Sequence, residues 1–273
     1  MTAVEETLTD ESPVSAGDFV VPERESLTYD FDRSKLPPLL EGKVAIFYCT
    51  RGDNRMEFTQ SLLALTQHSA GTIIAALGRI ASGNLALHRN ETVEDFLTTG
   101  AEWMWMLDDD MQFAPDTLDK LLEVAAVTGE AVVAGLYCNV GLDGDIIPMA
   151  YYFDPATDRL HAYSKENIGR MIRSGGKSAL VDSTGCGCLL VRRDVLVTML
   201  EKWGAPLPWF ANDVALDTET KVPVVQGEDH TFFRRLREIG HRVQLRIDTE
   251  ITHFKTMAIT NTHLLELTGS EDS

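Results

Sequence analysis

A short apolar run that ends in three consecutive carboxylates constrains this chain more than any other feature. Residues 103–107 (WMWML) are large and apolar, which is typical of a buried strand, and Asp108, Asp109 and Asp110 follow at once. Ligands of open α/β sheets bind beyond the carboxyl ends of the strands, so acids at such an end are placed to hold a hard divalent cation. An acidic turn that caps the next helix is the simpler alternative.

Other strands and helices alternate along the chain. Residues 43–49 (KVAIFYC), 72–77 and 131–137 (AVVAGLY) predict strands, and residues 54–68 show the apolar spacing of a helix. Repeated units of strand, turn and helix favour a parallel sheet with right-handed crossovers. We therefore predict an α/β fold with a mostly parallel central sheet flanked by helices.

The domain boundaries follow from composition. Residues 39–260 are predicted to form the domain, because residues 1–38 are polar and acidic with little periodicity and so predict a loosely ordered arm. Residues 261–273 are expected to form a flexible tail. Residues 18–29 of the arm could add a sheet-edge contact or an oligomer contact, so a homo-oligomer stays open.

Charge and cysteine content narrow the classes of partner. The chain has 24 basic and 42 acidic residues, which argues against a general affinity for nucleic acids or anionic membranes, although a local patch could still hold a nucleic-acid acceptor. Four scattered cysteines form neither a disulfide framework nor a zinc pattern. No stretch approaches the ~20 apolar residues of a membrane span. We expect a soluble, cytoplasmic protein that does not bind membranes.

Polar residues follow the first two predicted strands and precede a predicted helix. Thr50, Arg51 and Asp53 come after the first strand, and Arg79 comes after the second. Arg89 and Asn90 precede a predicted helix start, which is a place suited to phosphate or ribose contacts. The simpler interpretations are a solvated charge for the arginine and an N-cap for the asparagine.

The second half of the chain supplies further candidates. Residues 179–192 (ALVDSTGCGCLLVR) predict one strand, in which Gly185 and Gly187 imply that a sugar or a neighbouring segment approaches the backbone closely. The long segment 204–226 leads to Glu228 and Asp229 at the start of an amphipathic helix. These two acids either cap that helix or present a general base to a cleft.

Taken in order, these motifs resemble the GT-A glycosyltransferases, in particular family-2-like enzymes and their bacterial and phage relatives. The resemblance covers about residues 43–255 and includes the aspartate run at 108–110, the 183–193 segment (STGCGCLLVRR), the Glu228-Asp229 pair and His253 near the end. It implies a GT-A, Rossmann-like fold with a smaller mixed sheet on the acceptor side. It also implies metal-dependent transfer of a sugar from a UDP- or GDP-sugar to a hydroxyl of a protein, glycan, metabolite or modified nucleobase.

The resemblance also implies roles for individual residues. Mn²⁺ or Mg²⁺ would be held by Asp108, Asp110 and His253, a set of oxygen and imidazole ligands that suits these ions. Asp229 would be the base in an inverting reaction, with Glu228 touching the acceptor or exchanging roles; the stereochemical outcome stays open. The nucleotide would contact Thr50, Arg51, Asp53, Arg79, Arg89, Asn90, Asp108 and Asp109. The sugar or acceptor would contact Gly185, Cys186, Gly187, Trp209, Phe210 and His230.

Two alternatives and two departures from the family pattern accompany this hypothesis. A sugar-1-phosphate nucleotidyltransferase needs a glycine-rich basic loop after the first strand, and residues 50–53 (TRGD) are too short and too acidic. A non-catalytic relative that binds glycans or a partner is disfavoured because Asp110, Glu228 and Asp229 are intact. The family motif has two aspartates, and here the pair could be Asp108 with Asp110 or Asp109 with a neighbour. His230 lies where many relatives have an apolar residue.

Overall fold

The computed structural model describes residues 32–52, 54–80, 83–141, 144–156, 159–216 and 223–255. Asp53, the arm up to residue 31 and the predicted tail therefore lie outside the described residues. A 3₁₀ turn at Arg33–Lys35 precedes the regular elements. The helices and strands are, in order, β1 (Leu40–Thr50), α1 (Met56–His68), β2 (Ile73–Ile80), α2 (Leu85–Leu97), β3 (Ala101–Asp108), β4 (Met111–Phe113), α3 (Thr117–Thr128), β5 (Val132–Gly135), β6 (Cys138–Val140), β7 (Ile146–Pro148), β8 (Tyr151–Asp154), β9 (Arg159–Ala162), α4 (Lys165–Arg173), β10 (Ser178–Val181), β11 (Cys188–Arg192), α5 (Arg193–Trp203), β12 (Asp213–Leu216), β13 (Pro223–Gln226), α6 (Glu228–Glu238), β14 (Val243–Arg246) and β15 (Ile251–His253).

A seven-stranded sheet in the order β10-β14-β5-β11-β3-β1-β2 forms the centre of the molecule. Strands β1, β2 and β3 run parallel, as do β5 and β14, whereas β11 runs antiparallel to both of its neighbours and β10 runs antiparallel to β14. The predicted α/β fold with a mostly parallel central sheet is confirmed. The remaining described strands form four separate antiparallel pairs instead of one smaller mixed sheet.

The alternation of side chains along β3 explains why helices cover both faces of the sheet. Met104 and Met106 join one buried cluster, which includes side chains of α2, α5 and α6. Trp105 and Leu107 join a second cluster with side chains of α1 and α3. Successive strand residues point to opposite faces, so an apolar run of this kind requires a cover on each side.

Two local predictions differ from the structure. Residues 179–192 form two strands that lie at different places in the sheet, β10 at its edge and β11 near its middle. Two stretches for which no helix or strand was predicted also contain regular elements: the segment 141–177 contains β7, the β8-β9 pair and α4, and the segment 204–226 contains the β12-β13 pair. Helix α2 starts earlier than predicted, because Asn84 caps it by accepting a hydrogen bond from the Leu87 amide at 3.2 Å.

No helix in the described part of the chain has both the length and the apolar character of a membrane span.

Candidate active site

The aspartate run lies at the carboxyl edge of the central sheet. Asp108 is the last residue of β3 and pairs with Cys49 near the end of β1, and its amide donates to the Gly187 carbonyl at 3.1 Å. Asp109 and Asp110 form the turn into β4, which pairs with β15 near the end of the described chain. This short pair brings residues that are far apart in sequence to the same edge.

His253 lies beside Asp110. Its Nε2 atom is 3.3 Å from Asp110 Oδ2, and its Nδ1 atom is 3.0 Å from the Cys138 carbonyl oxygen. A carbonyl oxygen can only accept, so Nδ1 carries a proton and Nε2 is directed at the Asp110 carboxylate. Both His253 Nε2 and Asp110 Oδ1 are buried and have no hydrogen-bond partner among the described residues. This is the arrangement that a cation bound between the two groups would satisfy.

Lys255 contacts the same carboxylate from the solvent side. Its Nζ atom lies 2.9 Å from Asp110 Oδ2. Burial favours the neutral form of the Asp110 carboxyl, but His253 and Lys255 outweigh burial and lower its pKa to about 2. Asp110 is therefore ionised at neutral pH, as a metal ligand must be.

Among the described residues, no group of three or more histidine, cysteine or acidic side chains is arranged to hold a metal ion. Asp110 and His253 would instead supply two ligands. A cation held by few protein groups keeps its other positions for water and substrate phosphate oxygens, which is how Mg²⁺ is commonly bound by enzymes that act on nucleotides. The residues present fit such an ion.

Arg89 joins the aspartate run to the start of α6. Its guanidinium is 3.4 Å from Asp108 Oδ1 and 3.0 Å from Glu228 Oε1, and it also contacts Asp229 Oδ1. The residue is only 6% exposed, and the Phe210 ring lies 5.7 Å from the guanidinium carbon. Burial opposes its charged form, but the surrounding carboxylates hold the pKa of Arg89 well above its usual value.

This placement corrects the sequence-based interpretation of the segment 89–90. Arg89 and Asn90 lie within α2, not before it, and the arginine is a buried ion-pair partner, not a solvated surface charge. Asn90 donates to the carbonyls of Ala86 and Phe210 and accepts from the amides of Trp209 and Phe210. These bonds leave no amide atom for a ligand, so Asn90 no longer belongs among the nucleotide contacts.

Comparisons with known proteins bear on this geometry only through the fold. No family model matches the chain, and no curated protein matches it in sequence. A197 from STIV is 18% identical with a TM-score of 0.51, and the similarity covers 78% of this chain and 86% of A197. The chain shares its overall fold with A197. A structure of GalNAc-T7 with UDP, GalNAc and Mn²⁺ is 10% identical with a TM-score of 0.47, over 83% of this chain and 45% of that one.

Asp229 lies in the first turn of α6 and faces the segment between β10 and β11. Its Oδ2 atom is 3.4 Å from the Cys186 amide nitrogen. Cys186 is 1% exposed, and burial together with Asp229 raises the pKa of its thiol well above the usual value. Cys186 therefore stays a neutral thiol that packs against the carboxylate, and its backbone helps to hold Asp229 in place.

Tyr137 is a site residue that the sequence interpretation missed. Its hydroxyl accepts from the Gly187 amide at 3.3 Å, and its ring meets the His253 ring edge-on at 5.2 Å. Burial, with Asp108 and Asp229 nearby, raises the pKa of the Tyr137 hydroxyl well above its usual value, so it stays neutral. The available signal was its position at the end of the apolar segment 131–137, next to the carboxyl edge of the sheet.

Tyr137 also explains the two glycines. A Cβ atom at Gly185 would overlap the Tyr137 hydroxyl, and one at Gly187 would overlap Met111 and approach Asp108 Oδ2 to 2.9 Å. The prediction that another group closely approaches the backbone at these glycines is therefore correct. The neighbours are side chains of the protein itself, so Gly185 and Gly187 do not require a sugar to explain them.

We expect Gly185→Ala to lower the free energy of unfolding by about 1–3 kcal/mol, because the new methyl group must displace the Tyr137 hydroxyl. Adding Tyr137→Phe should recover part of this loss, with a coupling energy of at least about 0.5 kcal/mol in urea denaturation. Gly71→Ala is the matched control, because nothing lies within 4 Å of its added Cβ. Strictly additive effects of the two substitutions would contradict the assigned overlap.

Two predicted acceptor contacts are core residues. Trp209 is 1% exposed and donates its indole N–H to the Leu196 carbonyl at 2.7 Å. Phe210 is 0% exposed and stacks on Phe232 at 4.7 Å between ring centroids. Their prediction as contacts of the sugar or acceptor is corrected, because both rings are buried in the interior and anchor the segment that carries them.

The other predicted residues lie around the same edge. Thr50 is buried and its hydroxyl accepts from the Gly52 amide, while Arg51 is exposed beside it. Arg79 pairs with Glu91 at 3.0 Å and with Asp95 at 2.5 Å on α2. Asp109 is partly exposed in the turn. His230 is exposed on α6, where its ring meets Tyr151 edge-on.

Proposed function

We propose that this protein is a GT-A glycosyltransferase that moves a sugar from a nucleoside diphosphate donor to a hydroxyl acceptor with the help of Mn²⁺ or Mg²⁺. The observation that carries the proposal is the position of Asp110 and His253, 3.3 Å apart at the carboxyl edge of the sheet. Ligands of open α/β sheets bind at this edge. Asp229, the proposed base, is linked to the same edge through Arg89.

The donor end of the reaction needs charge stabilisation. A divalent cation bound by Asp110 and His253, with Asp108 near it, would stabilise the negative charge that gathers on the departing diphosphate. The Cys138 carbonyl fixes the His253 ring so that Nε2 is the ligand atom. Thr50, Arg51 and Asp109 at the ends of β1 and β3 are proposed to contact the nucleotide.

The acceptor end of the reaction needs a base. Asp229 is proposed to accept the proton of the acceptor hydroxyl on one carboxylate oxygen as that hydroxyl attacks the sugar. Arg89 and the Cys186 amide each contact one oxygen of this carboxylate, which fixes its orientation before the acceptor arrives. Glu228 shares Arg89 with Asp229, and His230 on the exposed side of α6 is proposed to face the acceptor.

The metal hypothesis predicts a result for Asp110→Asn. This variant should lose the Mn²⁺-dependent binding of UDP or GDP, because an amide is a much weaker cation ligand than the Asp110 carboxylate. Isothermal calorimetry with each nucleotide, with and without Mn²⁺, measures the change. Asp116→Asn is the matched control, since Asp116 is an exposed aspartate that pairs only with Lys120 among the described residues. Nucleotide binding that is equally strong in Asp110→Asn would refute the assigned metal site.

A further inference from the structure

Lys255 and His253 approach the same oxygen of Asp110. Lys255 Nζ is 2.9 Å from Asp110 Oδ2, and His253 Nε2 is 3.3 Å from it. Both side chains come from the same stretch of backbone, because His253 is the last residue of β15 and Lys255 follows two residues later. The carboxylate that the proposed cation needs therefore already has a positive partner.

The two side chains that contact Asp110 differ in how firmly they are held. The His253 side chain is 6% exposed and its ring is fixed by the Cys138 carbonyl, whereas the Lys255 side chain is 42% exposed. A half-exposed lysine on a flexible four-carbon stem can move at little cost, since exposed ion pairs add little to stability. Lys255 can leave Asp110 while His253 stays.

A divalent cation and an ammonium group cannot both stay at this oxygen. A cation bound to Asp110 Oδ2 would lie about 2.0–2.2 Å from it. It would then be within a few ångströms of the Lys255 ammonium, where like charges repel strongly outside bulk water. Binding of the cation must displace Lys255, unless an anion binds between the cation and the ammonium group and offsets their repulsion.

We propose that Lys255 is an internal counter-ion of Asp110 that competes with the metal until a diphosphate group binds and takes the ammonium over. This inference rests on the proposed function and adds an order of events to it. In the absence of donor the lysine neutralises Asp110 and weakens binding of the bare cation. The diphosphate of the donor then offers oxygens to both positive groups, so that metal and nucleotide bind together.

The two halves of this proposal predict effects of opposite sign for Lys255→Met. The variant should bind Mn²⁺ alone about tenfold more tightly than the wild type, because the competing charge is gone. It should bind UDP or GDP in the presence of saturating Mn²⁺ about tenfold more weakly, because a charge-assisted hydrogen bond to phosphate is lost. A residue with a merely structural role would not move the two affinities in opposite directions.

Electron paramagnetic resonance of free Mn²⁺ measures the first affinity, and calorimetry measures the second. Lys255→Arg keeps the charge and should stay close to the wild type in both. Lys120→Met is the matched control, because it removes a lysine from an exposed aspartate pair with Asp116 at 3.0 Å. Lys255→Gln serves as a second variant, and the melting temperature of each protein shows that it is folded.

The outcomes separate the inference from the proposed function. Affinities that change in the same direction, or either one unchanged in both Lys255→Met and Lys255→Gln, overturn the role of Lys255, whereas opposite changes support it. If the wild type binds Mn²⁺ and nucleotide together but the variants behave like it, only this inference fails. If the wild type binds neither Mn²⁺ nor any Mn²⁺-nucleotide pair, the proposed function fails with it.

Discussion

An Asp229→Asn protein is expected to bind Mn²⁺ and nucleotide like the wild type and to lose about 10²–10⁴-fold in transfer rate. The amide cannot accept the proton of the acceptor hydroxyl, whereas the substitution leaves untouched the Asp110–His253 pair, which is proposed to bind the metal and donor. The substitution keeps the size of the side chain, but its single oxygen can accept from either Arg89 or the Cys186 amide and not from both. Single-turnover transfer assays and calorimetry on the same protein preparation measure the two properties separately.

Asp194→Asn is the matched control for this prediction. Asp194 also lies in the first turn of a helix, α5, and pairs with an arginine, Arg192, at 2.8 Å. If helix capping were the whole role of Asp229, the two variants would lose similar stability and neither would lose transfer activity selectively. Full turnover by Asp229→Asn would refute its assignment as the base, and Glu228→Gln would then be examined in the same assay.

The sequence predicted those parts of the fold that local patterns determine. The apolar segments at 43–49 and 103–107 lie in the neighbouring strands β1 and β3, and the aspartate run lies at the carboxyl end of β3 as expected. His253 had no local signal beyond an apolar setting, and only the resemblance to GT-A enzymes placed it near Asp110. The structure brings the two side chains together through the pairing of β4 with β15.

The parts that the sequence could not predict depend on contacts between distant segments. An aromatic pair in a proline-containing segment looks the same whether it lines a cleft or fills a core. The Asn90 side chain makes the difference, because it forms hydrogen bonds with the backbone of Trp209 and Phe210 and so holds both rings in the core. These residues lie 119 and 120 positions away from Asn90 in the sequence. Gly185 likewise signals a close neighbour but not its identity, which is the Tyr137 hydroxyl.

Arg89→Met is expected to lower the free energy of unfolding by about 3 kcal/mol at neutral pH, because it leaves three partly buried carboxylates without their positive partner. Asp108, Glu228 and Asp229 all contact the guanidinium, and Asp108 already has a pKa that burial raises in spite of Arg89. Without the arginine, the pKa of the Asp108 carboxyl would rise further, so this group would bind a proton more readily in the folded protein than in the unfolded chain. The stability of the variant relative to wild type should therefore increase as the pH falls from 7 toward 5.

Arg193→Met separates this charge effect from the loss of a large buried side chain. Arg193 is also 6% exposed, but its guanidinium donates to the carbonyls of Leu97 and Ala101 and packs over the Phe96 ring. Its removal should also destabilise the protein, yet by an amount that does not change between pH 7 and pH 5, because no carboxylate contacts its guanidinium among the described residues. Urea denaturation of both variants at the two pH values tests the contrast. A loss in Arg89→Met that is constant across this range would mean that Arg89 contributes through packing, and that the acids around it do not depend on its charge.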